Sequence, residues 1–562
     1  MLGALKKKLP DYHSASLAVS WALFIAFSIL AFDYLTEKYF AIDEFLYVKS
    51  AWFISHGYIP YRDFFEHHFP LIYQLHSNLF FLLGDSLHNL NIVRLCMSFF
   101  VAMSVLSIFI ISNNKRSTLY SLVPCILFIS NWKYLNNLVE IRPDVLGLAF
   151  FLTSIAILKS NFKPQTKALV SGISFGLCLW STQKALIYGA PLGLLFIADF
   201  FKLKKGRTDY QTASPLFFIS GVMLCASFAA YYLYNHDLFL TWFRSTIVYH
   251  YHRETSFGGL DWYEHLYDNL KYSWWVLPFF IHGLLIEVKG IKSWTKDSKV
   301  VLIYSIPSTF LSYSLQSSPY AYSLLPLWAL VCIFSGKSIA SLILSSTKKS
   351  HFFWPCIILF CLGILSQVFL HLKEFSYRNT YYTSIYNKLE AISEPQDCVH
   401  DFAGTAITRR SSNFYYYTNG YLRGRYRSEF EKLFPKKITE NSCTIMISDF
   451  RTWGSSKVLD EFFSSHFVRV YGDIWLWGKK LPPGANDIRF HSIKDGSYYI
   501  HGNWSEIDVD GKKLNSDTIE LDKGIYNLSN KSKEDAYIIW LPRNAEKMAP
   551  LGQEKNWVFS LV

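Results

Sequence analysis

The chain has 562 residues, of which 51% are hydrophobic and only 17% charged, and its mean hydropathy is +0.16. A soluble protein of this length carries more charge, so the composition excludes an all-soluble chain and points to repeated membrane spans with a soluble part attached. The formal net charge is +12, but the basic residues fall in short clusters between apolar runs, which reads as membrane topology and not as a nucleic-acid-binding stripe.

The first element is a basic lead, MLGALKKKLP, followed by LAVSWALFIAFSILAF. That run is too long for a signal peptide and no small-residue cleavage site follows, so it reads as an uncleaved first span. Apolar runs of spanning length lie at about 17–35, 91–111, 118–135, 144–160, 168–181, 185–201, 213–234, 272–288, 299–315, 321–343 and 352–371, predicting about eleven spans. The run 70–84, FPLIYQLHSNLFFLLG, is apolar on one side and interrupted by Gln74, His76 and Asn78. It reads as a helix lying at the interface.

Basic clusters at Lys6 to Lys8, Lys115-Arg116, Lys159/Lys163/Lys167, Lys202 to Arg207, Lys289 to Lys299 and Lys348-Lys349 fall in alternate loops. By the positive-inside rule these face the cytoplasm. The opposite side then receives the Asp43-Glu44 loop, Glu140 to Asp144, Thr182 to Lys184, the loop 235–270, Ser317 to Tyr322 and the tail after about 371. For a bacterial inner membrane this puts the N-terminus in the cytoplasm and the C-terminal part in the periplasm.

The tail has two textures. Residues 372–482 alternate helix-like and strand-like runs, with CTIMISDF as a buried strand and KVLDEFFSSHF as an amphipathic helix. Residues 483–562 read as short strands (KDGSYYIHG, IDVDGKKL, TIELDKGIYNL, AYIIWLP), with Asp-Gly at 495–496 and 510–511 marking tight hairpins. The expected organisation is a transmembrane domain over 1–371, a mixed α/β domain over 372–482 and a β-sandwich-like domain over 483–562. Trp475, Trp477 and Trp504 read as core residues more than as sugar platforms. Cys398 and Cys443 are the two polar-region cysteines and could pair in an oxidising compartment. No internal repeat appears.

Charges beside spans on the outer side are costly unless they act or reach water. They are Asp43, Glu44, Arg62, Asp63, Glu66, His67, His68, Glu140, Arg142, Asp144 and Lys184. Arg142 and Lys184 are cations on the side that should be poor in them. Local ion pairing, with Pro143 opening a helix, is one explanation; a surface site for an anionic lipid headgroup is the other. Asp43 and Glu44 point about 100° apart on a helix, so one can face a cavity while the other orients a neighbour. Glu66-His67-His68 are adjacent ligands that rarely converge on one ion, with no third ligand at a convincing spacing; His250, His252 and Glu254 would share one face if extended, a better metal geometry, though such loop residues are more often simply solvated. A divalent metal stays open, and no cofactor is predicted. Phosphate loops, nucleophile elbows and paired CxxC motifs are absent from the sequence.

Asp43-Glu44 after the first span, followed by HGYIPYRDFFEHHFPL, resembles the first-loop pattern of the GT-C superfamily of integral-membrane glycosyltransferases. The similarity is to bacterial members grouped with the dolichyl-phosphate-mannose-protein mannosyltransferases and with the lipid A or lipopolysaccharide-core sugar transferases. EIRPDVLGLAF at 140–150, STQKALIYGAPL at 181–192 and SPYAYSLLPL at 318–327 resemble later segments of those proteins. The resemblance covers roughly the first 340 residues. The sugar-binding insertion of the eukaryotic protein mannosyltransferases is not found, which argues against that kind of protein acceptor.

The resemblance implies a polytopic α-helical enzyme that transfers a sugar, with inversion, from a polyprenyl phosphate to a glycan or glycolipid acceptor of the cell envelope. It implies Asp43 as general base, with Glu44 orienting it or binding sugar hydroxyls. Arg142 and Lys184 would hold the leaving phosphate; Tyr61, Arg62, His67, His68, Glu140, Asp144, Tyr320 and Tyr322 would line the substrate pocket. The alternatives are a glycolipid flippase or transporter and an envelope-polysaccharide polymerase or ligase. A transporter places its charges at mid-bilayer on broken helices in two related halves, a pattern the sequence lacks. A polymerase or ligase would depend on a large late external loop.

Overall fold

The computed structural model describes residues 12–202, 209–252, 262–289, 298–316, 320–344, 353–374, 379–454, 456–542 and 548–551. The basic clusters Lys6 to Lys8 and Lys348-Lys349, residues 203–208 and 290–297 of two further clusters, Glu254, and Ser317 to Pro319 lie outside the described residues. The chain forms two compact units: one of Met1–Lys38, His67–Ile72 and Val93–Arg378, the other of Tyr39–Glu66, Tyr73–Ile92 and Asn379–Val562.

The first unit is helical. Among the described residues, five helices are long and apolar enough to cross a bilayer: Ser14–Glu37, Asn89–Ser112, Ser214–Asn235, Ala321–Leu344 and Trp354–Lys373. Phe99, Phe228 and Phe369 on them stand 66%, 68% and 67% exposed, as a lipid-facing surface requires. Trp132–Leu138 and Pro143–Leu158 meet at 101° and add a sixth span only if the bent pair counts as one. By length and composition alone five or six helices among the described residues qualify as spans, so the eleven expected from hydropathy are not confirmed. The remaining apolar runs form shorter or broken helices because polar or conformationally free residues interrupt them: Leu119–Ser130 stops at Asn131, and the run 185–201 divides at Gly189 into Ala185–Tyr188 and Ala190–Lys202. Pro164–Ser181 packs on Asp209–Asn235 through Gly172 and Gly221, where a Cβ on either would collide with the other helix's backbone. That close packing fixes the helix whose end carries Thr182 to Lys184.

The second unit joins the helix Ile42–Ser55 to the C-terminal α/β part. Lys49 of this helix makes a fully buried ion pair with Asp401 at 3.4 Å, and burial pulls the lysine below its usual pKa. Asp401 is itself held by the backbone N–H groups of Gly404 and Ala406, both donating at 2.9 Å.

Twelve strands are present among the described residues: β1 Cys398–His400, β2 Arg410–Ser411, β3 Ile445–Ile447, β4 Phe467–Tyr471, β5 Ile474–Leu481, β6 Ile488–Ser492, β7 Gly496–His501, β8 Ile507–Val509, β9 Lys512–Lys513, β10 Thr518–Leu521, β11 Gly524–Asn530 and β12 Ala536–Trp540. Eight form a mixed sheet in the order β10-β7-β12-β5-β3-β1-β2, with β4 also on β5; four form an antiparallel sheet, β6-β11-β8-β9. The large sheet crosses residue 483, because β12 pairs with β5. Phe490 of the small sheet meets Tyr498 of the large one edge-on at 5.5 Å, and Trp477 donates to the His491 carbonyl at 2.8 Å. Trp475 and Trp477 are core residues, 5% and 1% exposed.

Asp510-Gly511 is a two-residue hairpin between β8 and β9, with φ of 48° and 76° at the two turn positions. The hairpin expected at Asp495-Gly496 does not form. β6 before it pairs with β11 and β7 after it pairs with β10 and β12, so this dipeptide carries the chain from one sheet to the other. Cys398 and Cys443 are joined by a disulfide across 45 residues, tying β1 to the segment that enters β3.

Candidate active site

In the helical unit, the site is built at the 101° bend between Trp132–Leu138 and Pro143–Leu158. Asn131 caps the first helix by accepting from the Tyr134 N–H, and Pro143 opens the second with the φ a helix start needs. Between them Glu140 is buried and accepts from both Arg142 Nε and Lys38 Nζ. Lys38 also donates to the Asn136 carbonyl at 2.8 Å. Arg142 is therefore ion-paired, as the local reading of the sequence allowed, but its partner is shared with a second cation.

One helical turn away, Lys184 donates to Asp144 Oδ1 at 2.8 Å and to Ser323 Oγ at 2.9 Å. The Arg142 guanidinium lies 4.1 Å and the Lys184 ammonium 4.6 Å from the Tyr322 ring centroid, and Tyr320 stacks on Tyr322 at 5.4 Å. Six of the residues singled out in the sequence, Glu140, Arg142, Asp144, Lys184, Tyr320 and Tyr322, thus meet in one place. Lys38, Arg142 and Lys184 there pair with Glu140 and Asp144. Lys184 keeps 22% of its side chain exposed. Clustered cations of this kind suit an anion such as phosphate.

A cavity of about 400 Å³ lies among the helices Tyr12–Glu37, Asn89–Ser112 and Leu119–Ser130. Its wall includes Trp21, Phe32, Val105, Ile129 and Val139, the last being the residue before Glu140. His67 and His68 lie in this unit with rings 4.0 Å apart, and His250 donates from Nε2 to the His67 carbonyl at 3.0 Å.

The second unit places Asp43 and Glu44 differently from each other. Glu44 is fully buried and accepts from the Ala41 N–H at 2.8 Å, closing the N-terminus of its own helix. Asp43 is 25% exposed, and its Oδ1 accepts from the Tyr417 hydroxyl at 2.8 Å. Arg451 Nη2 donates to the Tyr417 oxygen at 3.3 Å, lies 4.0 Å from Asp43 Oδ1, and its guanidinium covers the Tyr417 ring at 4.4 Å. Tyr61 is buried with φ of 68°, whereas Arg62 is 53% exposed and pairs with Asp63. Glu66 is buried and accepts from Ser50 at 3.1 Å.

Lys38, Tyr417 and Arg451 are the side chains that sequence reasoning did not select. Lys38 had a signal, a lysine just after the first apolar helix, at the end opposite the basic cluster Lys6 to Lys8. Tyr417 and Arg451 had none, since 374 residues separate Tyr417 from Asp43.

At the level of sequence, no protein-family model and no curated protein matches the chain. Solved structures do. ArnT from Cupriavidus metallidurans in the apo state superposes with a TM-score of 0.55 at 9% identity, covering 82% of this chain and 98% of that one. The same protein bound to undecaprenyl phosphate gives 0.52 at 10% identity, covering 83% and 98%. The archaeal oligosaccharyltransferase AglB from Archaeoglobus fulgidus, in complex with an inhibitory peptide and a dolichol-phosphate, gives 0.50 at 10% identity, covering 76% and 69%. At such identities the likeness shows the fold alone, which this chain shares with the ArnT and AglB structures.

Proposed function

We propose that this protein is a glycosyltransferase that moves a sugar from a polyprenyl-phosphate donor to an envelope glycan or glycolipid acceptor. The observation that carries the reading is the convergence of Lys38, Arg142 and Lys184 around Glu140, Asp144 and Tyr322. A phosphate suits that group of cations, and the apolar cavity lined in part by Val139 suits the chain that such a phosphate carries. The ArnT and AglB structures, which hold undecaprenyl phosphate and a dolichol-phosphate, support this class of donor.

In the reaction, the acceptor hydroxyl attacks the anomeric carbon from the face opposite the phosphate. The new C–O bond forms as the bond to the phosphate oxygen breaks, and the configuration inverts. Asp43 takes the hydroxyl proton, while Arg142 and Lys184, with Lys38 behind Glu140, stabilise the charge that grows on the departing polyprenyl phosphate. Glu44, buried at its helix start, orients the backbone that bears Asp43. Tyr61, Tyr320, Tyr322, His67 and His68 remain candidates for the substrate pocket, with no metal required by the scheme. Arg62 is the weakest of the assigned residues, because its guanidinium is already held by Asp63 at the surface.

The proposed setting is a bacterial inner membrane with the N-terminus cytoplasmic and the tail periplasmic. The Cys398–Cys443 disulfide supports it, since such bridges persist in oxidising compartments. The test is transfer from a synthetic panel of polyprenyl-phosphate sugars to envelope glycolipids by the purified protein and its Asp43→Asn variant. A loss of about a hundredfold or more in the variant, with donor still bound, is expected. Full transfer by the variant refutes Asp43 as base. Glycolipid movement across liposomes with no transfer from any donor refutes the enzyme itself.

A further inference from the structure

Tyr417 and Arg451 take no part in the reaction as written, yet both converge on its base. The elements that hold them are specific. Tyr417 lies just before Asn419, which caps the helix Gly420–Arg425 by accepting from the Leu422 N–H. Arg451 sits in a tight turn after β3, where Asp449 Oδ1 accepts from the N–H groups of Arg451 at 2.6 Å and Thr452 at 3.1 Å. Arg423 braces that turn from the side, donating to the Arg451 carbonyl at 3.2 Å. The result is a relay: Arg451 N–H to Tyr417 oxygen, Tyr417 O–H to Asp43 Oδ1.

We infer that Tyr417 and Arg451 are positioning residues for Asp43, fixing its carboxylate and keeping it ionised so that it can accept the acceptor's proton. The inference rests on the reading of Asp43 as the base. A hydrogen bond donated to a carboxylate favours its charged form, and a guanidinium within about 4 Å adds to that preference. The relay also occupies Oδ1, which sets the direction of the rest of the carboxylate. Among the described residues, Arg423 from the helix Gly420–Arg425 and Asp449 from the turn after β3 interact electrostatically with Arg451 of this trio. Burial works against the Arg451 charge, but Tyr417, Asp43 and Asp449 together hold its pKa above the usual value. Burial, reinforced by Asp43 against the opposing pull of Arg451, raises the Tyr417 hydroxyl, so it stays a donor at any physiological pH.

The test is an infrared titration of the purified full-length protein, labelled with 13C-aspartate, in which Asp43 is the carboxylate band lost in Asp43→Asn. Tyr417→Phe removes only the hydroxyl and is expected to raise the Asp43 midpoint by about one pH unit. Arg451→Lys keeps the charge but not the fork and should raise it by less. An unmoved midpoint in Tyr417→Phe that melts like the wild type overturns the inference. If Tyr417→Phe does not fold, Arg451→Lys decides in the same way. The transfer assay separates the two readings. Lost transfer in Asp43→Asn with a shifted midpoint in Tyr417→Phe supports both, and lost transfer with an unmoved midpoint overturns the relay alone. Full transfer in Asp43→Asn overturns both.

Discussion

The cluster at Glu140 and the cluster at Asp43 are assembled in opposite ways. In the helical unit, Glu140, Arg142 and Asp144 lie within five consecutive residues and carry their ion pairs largely among themselves and with Lys38 and Lys184. In the second unit, Asp43 takes its hydrogen bond from Tyr417 and its nearest cation from Arg451, both hundreds of residues away. The difference follows from the solvent each sequence was written for. Next to an apolar run a charge is costly, so those that persist stand out and are paired close by. In a water-soluble α/β part, arginines and tyrosines are ordinary, and only the fold tells which of them point at a site.

The comparison can be broken first where its effect is largest. Glu140 is shared by two buried cations, so Glu140→Gln leaves Lys38 and Arg142 without their carboxylate. The expected loss is about 3–5 kcal/mol, read as a marked fall in the melting temperature of the detergent-purified protein. A melting temperature within a degree of the wild type would show that the cluster is solvated and its ion pairs dispensable. The second unit depends on a covalent tie instead. Replacing both Cys398 and Cys443 by serine opens a 45-residue loop and should cost about 4 kcal/mol by chain entropy. The same double substitution should leave any melting transition of the helical unit in place. If both transitions fall together, the two units do not unfold as separate bodies.

A smaller effect on stability, paired with a large one on transfer, is expected at Lys184. Its side chain is 22% exposed and its partner Asp144 lies at a helix start. Lys184→Met should lower stability by about 1 kcal/mol or less. Transfer, if the ammonium faces the leaving phosphate, should fall by about a hundredfold or more. Equal, modest losses in both assays would place Lys184 with the structural pairs.

How much was legible in the sequence follows the same line. The helical membrane character and the out-of-place charges at Glu140 to Asp144 and Lys184 were readable, because hydropathy and charge are local properties, but hydropathy makes 140–144 a loop between spans and it is the bend between two helices. The strands after residue 483 were readable too, as turn chemistry bounds each one. The helix boundaries were less legible, since hydropathy counts apolar residues and cannot see that the runs at 118–135 and 185–201 divide at Asn131 and Gly189. The pairing across the Asp495-Gly496 dipeptide was not legible: an Asp-Gly turn fits a crossover between sheets as well as a hairpin, and register depends on distant strands. Tyr417 and Arg451 were invisible for that reason as well.

The smallest predicted effect sharpens the account of the second unit. Asp449 holds the Arg451 turn, but burial, opposed by Arg451 and its backbone N–H, raises its pKa to about 6. Its Oδ2 has no hydrogen-bond partner among the described residues. A carboxyl raised in the folded state above its unfolded value binds its proton more tightly when folded. Stability from this group is therefore absent above about pH 6 and grows as the pH falls toward the unfolded value near 4, the gain between pH 7 and pH 5 being about 1 kcal/mol. Asp473, raised to about 6 mainly by burial, acts in the same direction. Asp449→Asn should remove roughly half of the combined gain while preserving the oxygen that accepts from Arg451 and Thr452. Melting at pH 5 and pH 7 measures it. A variant whose pH dependence matches the wild type would mean that Asp449 is ionised across the range and compensated by Arg423 and Arg451, and the turn would then be an ion-paired one like that at Glu140.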